Sequence, residues 1–440
     1  MSTLKLSLVG LGARIALMVI NMASVIVLAR YLEPQGRGEY FLFQTLVSVL
    51  SVIGDCGLSQ SANVFVGRNG ARRVLIHSFV IKSAILLGAV MLMVGGLGIW
   101  FAGESLLHDF PARWQWAALA IMPIMLYAGY WNSVMVGLGE ISFLNGVQLV
   151  IAPAQFVLIL VFVVALSGGV ATAVAIYLFI MVLQCVLMLF VAAHLGLLRR
   201  SLHQEAGLSR QMLAFGIRAY PNSIATMLWM RTPIFVLNAL HGPAAVGIYS
   251  VAQQLAEKAL MPIQAVQDAI YRKMASLSPA DAIVALNRYL RIVSSSMVAL
   301  GVLGVFLAPW IVAMLFGDAY RQAAYAFWIL LVGIVFVSVA MIVSTYVLSQ
   351  RGRPGLLSLL AGANACICLI LSYCLIPTWR EMGAAAALAS TQAVGAVIVF
   401  GLYTAMSSAS LRDTLLLTGQ DVASLLEQFS GLGWRKRAQT

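Results

Sequence analysis

"RGEYFLFQTL" (residues 37–46) and "VGIYSVAQQL" (residues 246–255) carry one pattern, G-x-Y-x-x-x-Q-x-L. Gly38, Tyr40, Gln44 and Leu46 of the first stretch match Gly247, Tyr249, Gln253 and Leu255 of the second. The offset is 209 residues in a chain of 440, close to half its length. A chain that repeats itself half a length apart is built from two related halves. What each half consists of therefore decides the fold.

Composition answers first. The chain is 62% hydrophobic and 10% charged, with a mean hydropathy of +0.95. Soluble domains carry about 25% charged residues, so this is an all-α polytopic membrane protein. A bilayer core of about 30 Å needs about 20 apolar residues per helix. Twelve runs qualify: 8–30, 40–65, 75–101, 115–137, 143–166, 169–194, 213–239, 244–270, 289–316, 323–348, 355–377 and 383–406. The first run is too long for the apolar core of a signal peptide and reads as an anchor. Cys56, Cys185, Cys366, Cys368 and Cys374 all lie in apolar stretches. Their spacing matches no zinc or redox motif, and they read as small hydrophobes.

The distribution of Lys and Arg orients the spans. With the N-terminus in the cytoplasm, 16 of the 27 basic residues fall on the cytoplasmic side and 5 on the other. The 5 are Arg30, Arg37, Arg113, Arg321 and Arg380. Twelve spans with both termini cytoplasmic are expected. The net charge of +12 then reflects topology, and no basic domain exists for nucleic acid. Each copy of the repeat opens the second helix of a six-helix half. Six is even, so the halves are parallel repeats around an axis along the membrane normal, with a central cavity. The expected organisation is an N-terminal bundle (1–198), a cytoplasmic linker (199–212), a C-terminal bundle (213–406) and a cytoplasmic tail (407–440). The tail reads as an interfacial amphipathic helix or as a disordered segment. Its Trp434, Arg435, Lys436 and Arg437 suit an anionic membrane surface.

A family resemblance rests on three stretches. "LARYLEPQGRGEYFLFQTLVSVLSVIGDCGLSQSA" (residues 28–62) resembles the opening of the polysaccharide or O-antigen flippases, members of the multidrug/oligosaccharidyl-lipid/polysaccharide exporter superfamily. "GPAAVGIYSVAQQL" is similar to that family's eighth helix, and "LIPTWREMGAAAALAST" to its eleventh-to-twelfth helix signature. The resemblance spans about residues 5–406. It implies two six-helix bundles forming a V-shaped transporter of the bacterial inner membrane that opens alternately inward and outward. It also implies a substrate, an undecaprenyl-pyrophosphate-linked oligosaccharide moved from the cytoplasmic to the periplasmic leaflet for cell-surface polysaccharide (O-antigen, lipopolysaccharide, capsule or exopolysaccharide). Membrane lipids, and the polysaccharide polymerase and glycosyltransferases of the pathway, are the implied partners.

Six basic residues remain in or near spans: Arg14, Lys82, Arg218, Arg231, Lys258 and Arg291. A charge at bilayer depth costs about 2.5–3.5 kcal/mol on insertion scales, so it normally faces protein or a wet cavity. Lys82, Arg218 and Arg291 are within snorkelling reach of the cytoplasmic edge, with Arg218 the best candidate to guard an entrance. Arg14, Asp55 and Lys258 are expected in one deep layer, with Arg231 nearer the outer face. Glu257 adjoins Lys258 in sequence but points about 100° away. One reading is a cationic cavity in which Arg offers a planar fork to phosphate and Lys a point charge. The other is structural pairing, Arg14 with Asp55 above all. Asn21, Gln44, Asn222, Gln253 and Gln254 are polar candidates for sugar contacts or for holding helices together. Pro123, Pro153, Pro233 and Pro262 fall inside spans, and the latter two are candidate hinges beside Arg231 and Lys258.

A multidrug/cation antiporter on the same fold is the alternative. Such antiporters use membrane-embedded acids, whereas the first helix here carries Arg14. A membrane enzyme would need catalytic residues in its loops, and neither 102–114 nor 195–212 holds a nucleophile or a metal-ligand spacing. No cofactor is expected and no nucleotide-binding motif is present. A proton gradient, a sodium gradient and the membrane potential all remain open as the source of coupling.

Overall fold

The computed structural model of the chain describes residues 3–68, 73–106, 110–198, 206–350, 354–407 and 414. Eight of its helices are long and apolar enough to cross a membrane, and a bent pair forms a ninth crossing. Three of the eight are 40, 58 and 53 residues long. Each of these contains one non-helical residue, Glu33, Gly242 or Arg380. Divided there, the described residues hold twelve crossings, as the hydropathy pattern predicts. In chain order they are α1 (3–32), α2 (34–68), α3 (Arg73–Leu106), α4 (112–138), α5 (141–165), α6 (Val170–His194), α7 (206–241), α8 (243–276), α9 (Pro279–Phe316), α10 (Arg321–Ser349), α11 (354–379) and α12 (381–407). Helix is the form that satisfies every backbone group without water.

The turns are shorter than the hydropathy minima suggest. Residues 31–39 are not an outer loop: the whole turn is Glu33, and α2 starts at Pro34. Likewise Gly242 alone separates α7 from α8, which starts at Pro243. Proline disfavours the α conformation in the residue before it and suits the first position of a new helix. Glu33 (φ 56°, ψ 176°) and Gly242 (φ 76°, ψ 179°) adopt nearly the same left-handed extended backbone. They are 209 residues apart, so the repeat reaches back to Glu33-Pro34 and Gly242-Pro243.

That conformation is essentially reserved for glycine and costs other residues about 1–3 kcal/mol. Glu33→Gly is therefore expected to stabilise the protein by about 1 kcal/mol after the entropy cost of glycine. Gly242→Ala is expected to destabilise it by about 1–3 kcal/mol. A Cβ on Gly242 meets nothing within 4 Å, so backbone strain alone would set that cost. Thermal melting of the purified protein checks both, and equal melting of the two variants would refute the shared geometry.

Three crossings are less regular than expected. α2 breaks at Cys56 and Gly57, both left-handed. α4 bends by 45° between Ala112–Ala120 and Met122–Leu138, with Pro123 at the start of the second part. α5 finishes as a π-helix over Ile159–Ala165. By contrast, helical backbone continues through Pro233 and Pro262.

Exposed tryptophans stand toward helix ends: Trp100 of α3 lies near the end opposite Arg73, and Trp310 of α9 toward the end opposite Arg288. Tryptophan prefers this interfacial level.

The chain divides into two compact units, residues 1–251 with 313–320, and residues 252–312 with 321–440. In the first, Tyr40, Phe43, Tyr130, Trp131 and Tyr249 are buried. Tyr177 of α6 packs edge-on against Phe43 at 5.6 Å and Tyr40 at 6.4 Å. In the second, Tyr346 of α10 meets Tyr403 of α12 edge-on at 5.6 Å. Tyr403 Oη donates to Asn287 Oδ1 of α9 at 2.5 Å, and Trp328 Nε1 of α10 donates to the Val305 carbonyl at 2.9 Å. Ser278 caps α9, accepting from the Asp281 amide at 3.2 Å.

Candidate functional site

The repeat forms a contact with itself. Gly38 of α2 lies against the Pro243 carbonyl and the Gly247 amide, and Gly247 of α8 lies against the Pro34 carbonyl and the Gly38 amide. The relation is reciprocal, as a two-fold axis between the copies requires. A side chain at either position would sit inside the facing backbone. Small residues permit such approach between helices in lipid. A second backbone contact joins Gly57, at the α2 break, to Gly216 of α7. Tyr220 Oη donates to the Ile53 carbonyl and Gln60 Nε2 to Ser223 Oγ at 2.9 Å, fastening α7 along α2.

Around this frame stand the first unit's candidate residues. Arg231 is half-buried on α7 with Nε enclosed, and the neighbouring Thr232 hydroxyl is tied to the Leu228 carbonyl at 2.7 Å. Arg218 is exposed on α7, Asn21 is exposed on α1 and Asn222 is half-buried on α7. Gln44 donates to Tyr40 Oη at 3.2 Å. Asp55 serves the break that follows it. Its carboxylate accepts from the Ser59 amide at 3.1 Å and the Ser59 hydroxyl at 2.5 Å, capping the second part of α2. The side chain of Arg14 lies outside the described residues, and with it the expected Arg14–Asp55 pair. Because α2 begins at residue 34, Asp55 lies about 32 Å along its helix.

In the second unit, Gln253, Glu257 and Lys258 follow one another on α8. Gln253 is buried and donates to Glu257 Oε1 at 3.2 Å. Its own Oε1 is buried with no hydrogen-bond partner among the described residues. Gln44 and Gln253 are equivalent in the repeat, yet one turns back to a tyrosine and the other forward to an acid. Glu257, Lys258 and Gln254 are half-buried. Among the described residues, no group of three His, Cys, Asp or Glu is placed to hold a metal ion.

Two arginines assigned to outer loops prove to be structural. Arg37 is 1% exposed, with Nε and Nη2 lacking hydrogen-bond partners among the described residues, and its guanidinium lies 5.8 Å from the Tyr40 ring and 6.0 Å from that of Phe41. Arg30 donates through Nε to the Leu315 carbonyl at 2.7 Å, and through Nη2 to that of Met314, closing the C-terminus of α9. Tyr320 Oη donates to the Ala29 carbonyl beside them at 2.8 Å. The legible signal was the pair of aromatic residues three and four positions after Arg37.

Residues 3–271 match the family described as polysaccharide biosynthesis protein. No curated protein matches the chain by sequence. Among solved structures, an inward-facing multidrug resistance MATE family transporter of the MOP superfamily superposes with a TM-score of 0.71 at 15% identity, covering 89% of this chain and 94% of its own. An outward-facing MATE transporter gives 0.64 at 19% identity, covering 89% and 92%. A MOP superfamily transporter from Pyrococcus furiosus Vc1 (DSM3638), described by the reversed polarity of its binding pocket, gives 0.62 at 18%, covering 91% and 93%. At these identities the likeness is one of fold.

Proposed function

Given that the chain belongs to the polysaccharide biosynthesis protein family and has the fold of MOP-superfamily transporters, we propose that it is a flippase. Its cargo is an undecaprenyl-pyrophosphate-linked oligosaccharide, moved from the cytoplasmic to the periplasmic leaflet of the bacterial inner membrane by alternating access. The observation that carries this reading is the presence of half-buried cations within membrane crossings, Arg231 in the first unit and Lys258 in the second. A pyrophosphate crossing a poorly hydrated space needs cations that meet it there. Arg231 supplies a planar fork and Lys258 a compact charge.

The acids that a drug/cation antiporter would use are otherwise engaged. Asp55 caps a helix and Glu257 accepts from Gln253. The relative from Pyrococcus furiosus is described as having a pocket of reversed polarity that suggests a different function. Half-buried cations in both units, with these acids engaged, support the same separation from the multidrug branch for this chain.

The test is the location of lipid-linked oligosaccharide in a deletion strain. The expected result is accumulation on the cytoplasmic leaflet, restored by the intact gene. Normal periplasmic delivery in a strain with no second flippase would refute the proposal.

A further inference from the structure

The second unit holds a cavity of about 840 Å³ between α9, α10 and α12, open along Val298, Phe336 and Val397. Its size falls within the range of about 300–1,000 Å³ seen for ligand pockets. The lining is chemically apolar. Three hydroxyls line it: Ser294 donates to the Arg291 carbonyl at 3.2 Å and Thr404 to that of Gly401 at 3.0 Å, and Ser295 is half-buried beside them. So sparse a polar lining suits a hydrocarbon chain better than a sugar or a pyrophosphate. Gly401 keeps the space open, since a Cβ there meets nothing within 4 Å.

The cavity's depth in the membrane can be read from α9. Trp310 is exposed at the Lys/Arg-poor interface. Arg291 lies 19 residues away, about 29 Å at 1.5 Å per residue, which is the thickness of the hydrocarbon core. Arg291 and Arg288 therefore stand at headgroup level on the opposite, Lys/Arg-rich face. Ser295 and Val298 follow Arg291 at helical spacing on the cavity side. From Arg291 to Ala299 the rise is about 12 Å, so the cavity stays within one leaflet. One helix face thus presents two guanidinium groups at headgroup level and an apolar slot directly beneath them. That order of charge and hydrocarbon is the order of an anionic lipid.

We infer that this cavity is a binding site for an anionic phospholipid of the Lys/Arg-rich leaflet. The phosphate lies against Arg288 and Arg291, and an acyl chain fills the slot beside Gly401. A basic residue near the membrane surface attracts anionic headgroups, and the mostly apolar lining suits the chain. The occupant is a membrane lipid and not the transported glycolipid, so the site stands apart from the proposed flippase reaction.

Native mass spectrometry of the detergent-purified protein, titrated with phosphatidylglycerol or phosphatidylcholine, tests this. The intact protein should retain phosphatidylglycerol with about tenfold preference. The double variant Arg288→Gln/Arg291→Gln should lose that preference. Gly401→Leu, and independently Val397→Trp at the exposed mouth, should reduce retention of the lipid at least about fivefold. Unchanged retention in either slot-filling variant would overturn the site. So would undecaprenyl phosphate displacing phosphatidylglycerol from the intact protein at equal concentration, because the slot would then belong to the substrate.

Discussion

Leucine in place of Gly38 or Gly247 is expected to remove the folded protein from the membrane. Each glycine faces the backbone of the other repeat, Gly38 against the Pro243 carbonyl and Gly247 against the Pro34 carbonyl. A clash with a side-chain tip can be relieved by a rotamer change. A clash with a carbonyl can be relieved only by moving a helix. Overpacking in a well-packed core costs about 1–3 kcal/mol, and more where nothing can yield. Both helices are fixed here by the one-residue turns at Glu33 and Gly242, so the upper end applies. Alanine should already lower the melting temperature, and leucine should leave little monodisperse protein after extraction. Gly98→Ala serves as the contrast, because a Cβ at Gly98 meets nothing within 4 Å. Wild-type yield and melting for Gly38→Leu would show that the two copies do not meet at these glycines.

The second large effect concerns the cations. Arg231→Ala and Lys258→Ala are each expected to reduce transport on the order of 10–100-fold, the loss of one charged hydrogen bond of about 1.5–3 kcal/mol. Insertion and expression should be unchanged, since both side chains are only half-buried. Arg231→Lys should recover part of the activity, because the charge remains while the fork is lost. Complementation of the deletion strain, with protein levels measured alongside, reads both quantities. Loss of expression in parallel with transport would mean that these residues support the fold and not the cargo.

Much of this architecture is legible in hydropathy because long apolar runs have few alternatives in a membrane. The repeat was legible from Gly38 and Gly247, and the reason for it is that the two copies touch. The extension of the repeat to Pro34 and Pro243 carries no hydropathy signal, because proline and its neighbours look like loop. That same blindness placed Arg37 in an outer turn. Any Arg near a span end is counted as solvent-facing, yet this one is buried against Tyr40 and Phe41. The breaks at Cys56–Gly57 and the π-turn at Ile159–Ala165 depend on how neighbouring helices fill space, which a single chain's pattern does not record. Pro233 and Pro262 show the converse, since the backbone stays helical through both. Of the candidate site, the residue types were legible and their pairings were not. At Asp55 the α2 break supplies Ser59 as a hydrogen-bond partner, which the hydropathy pattern does not show.

What crosses the membrane is measured directly in proteoliposomes. The purified protein would be reconstituted with undecaprenyl-pyrophosphate-linked oligosaccharide, and the glycan's accessibility to an external glycosidase followed with time. The wild-type protein should transfer the glycolipid between leaflets, and the Arg231→Ala and Lys258→Ala proteins should do so on the order of 10–100-fold more slowly. Leaflet exchange no faster than in protein-free vesicles, together with ion-driven export of cationic drugs by the same preparation, would contradict the account.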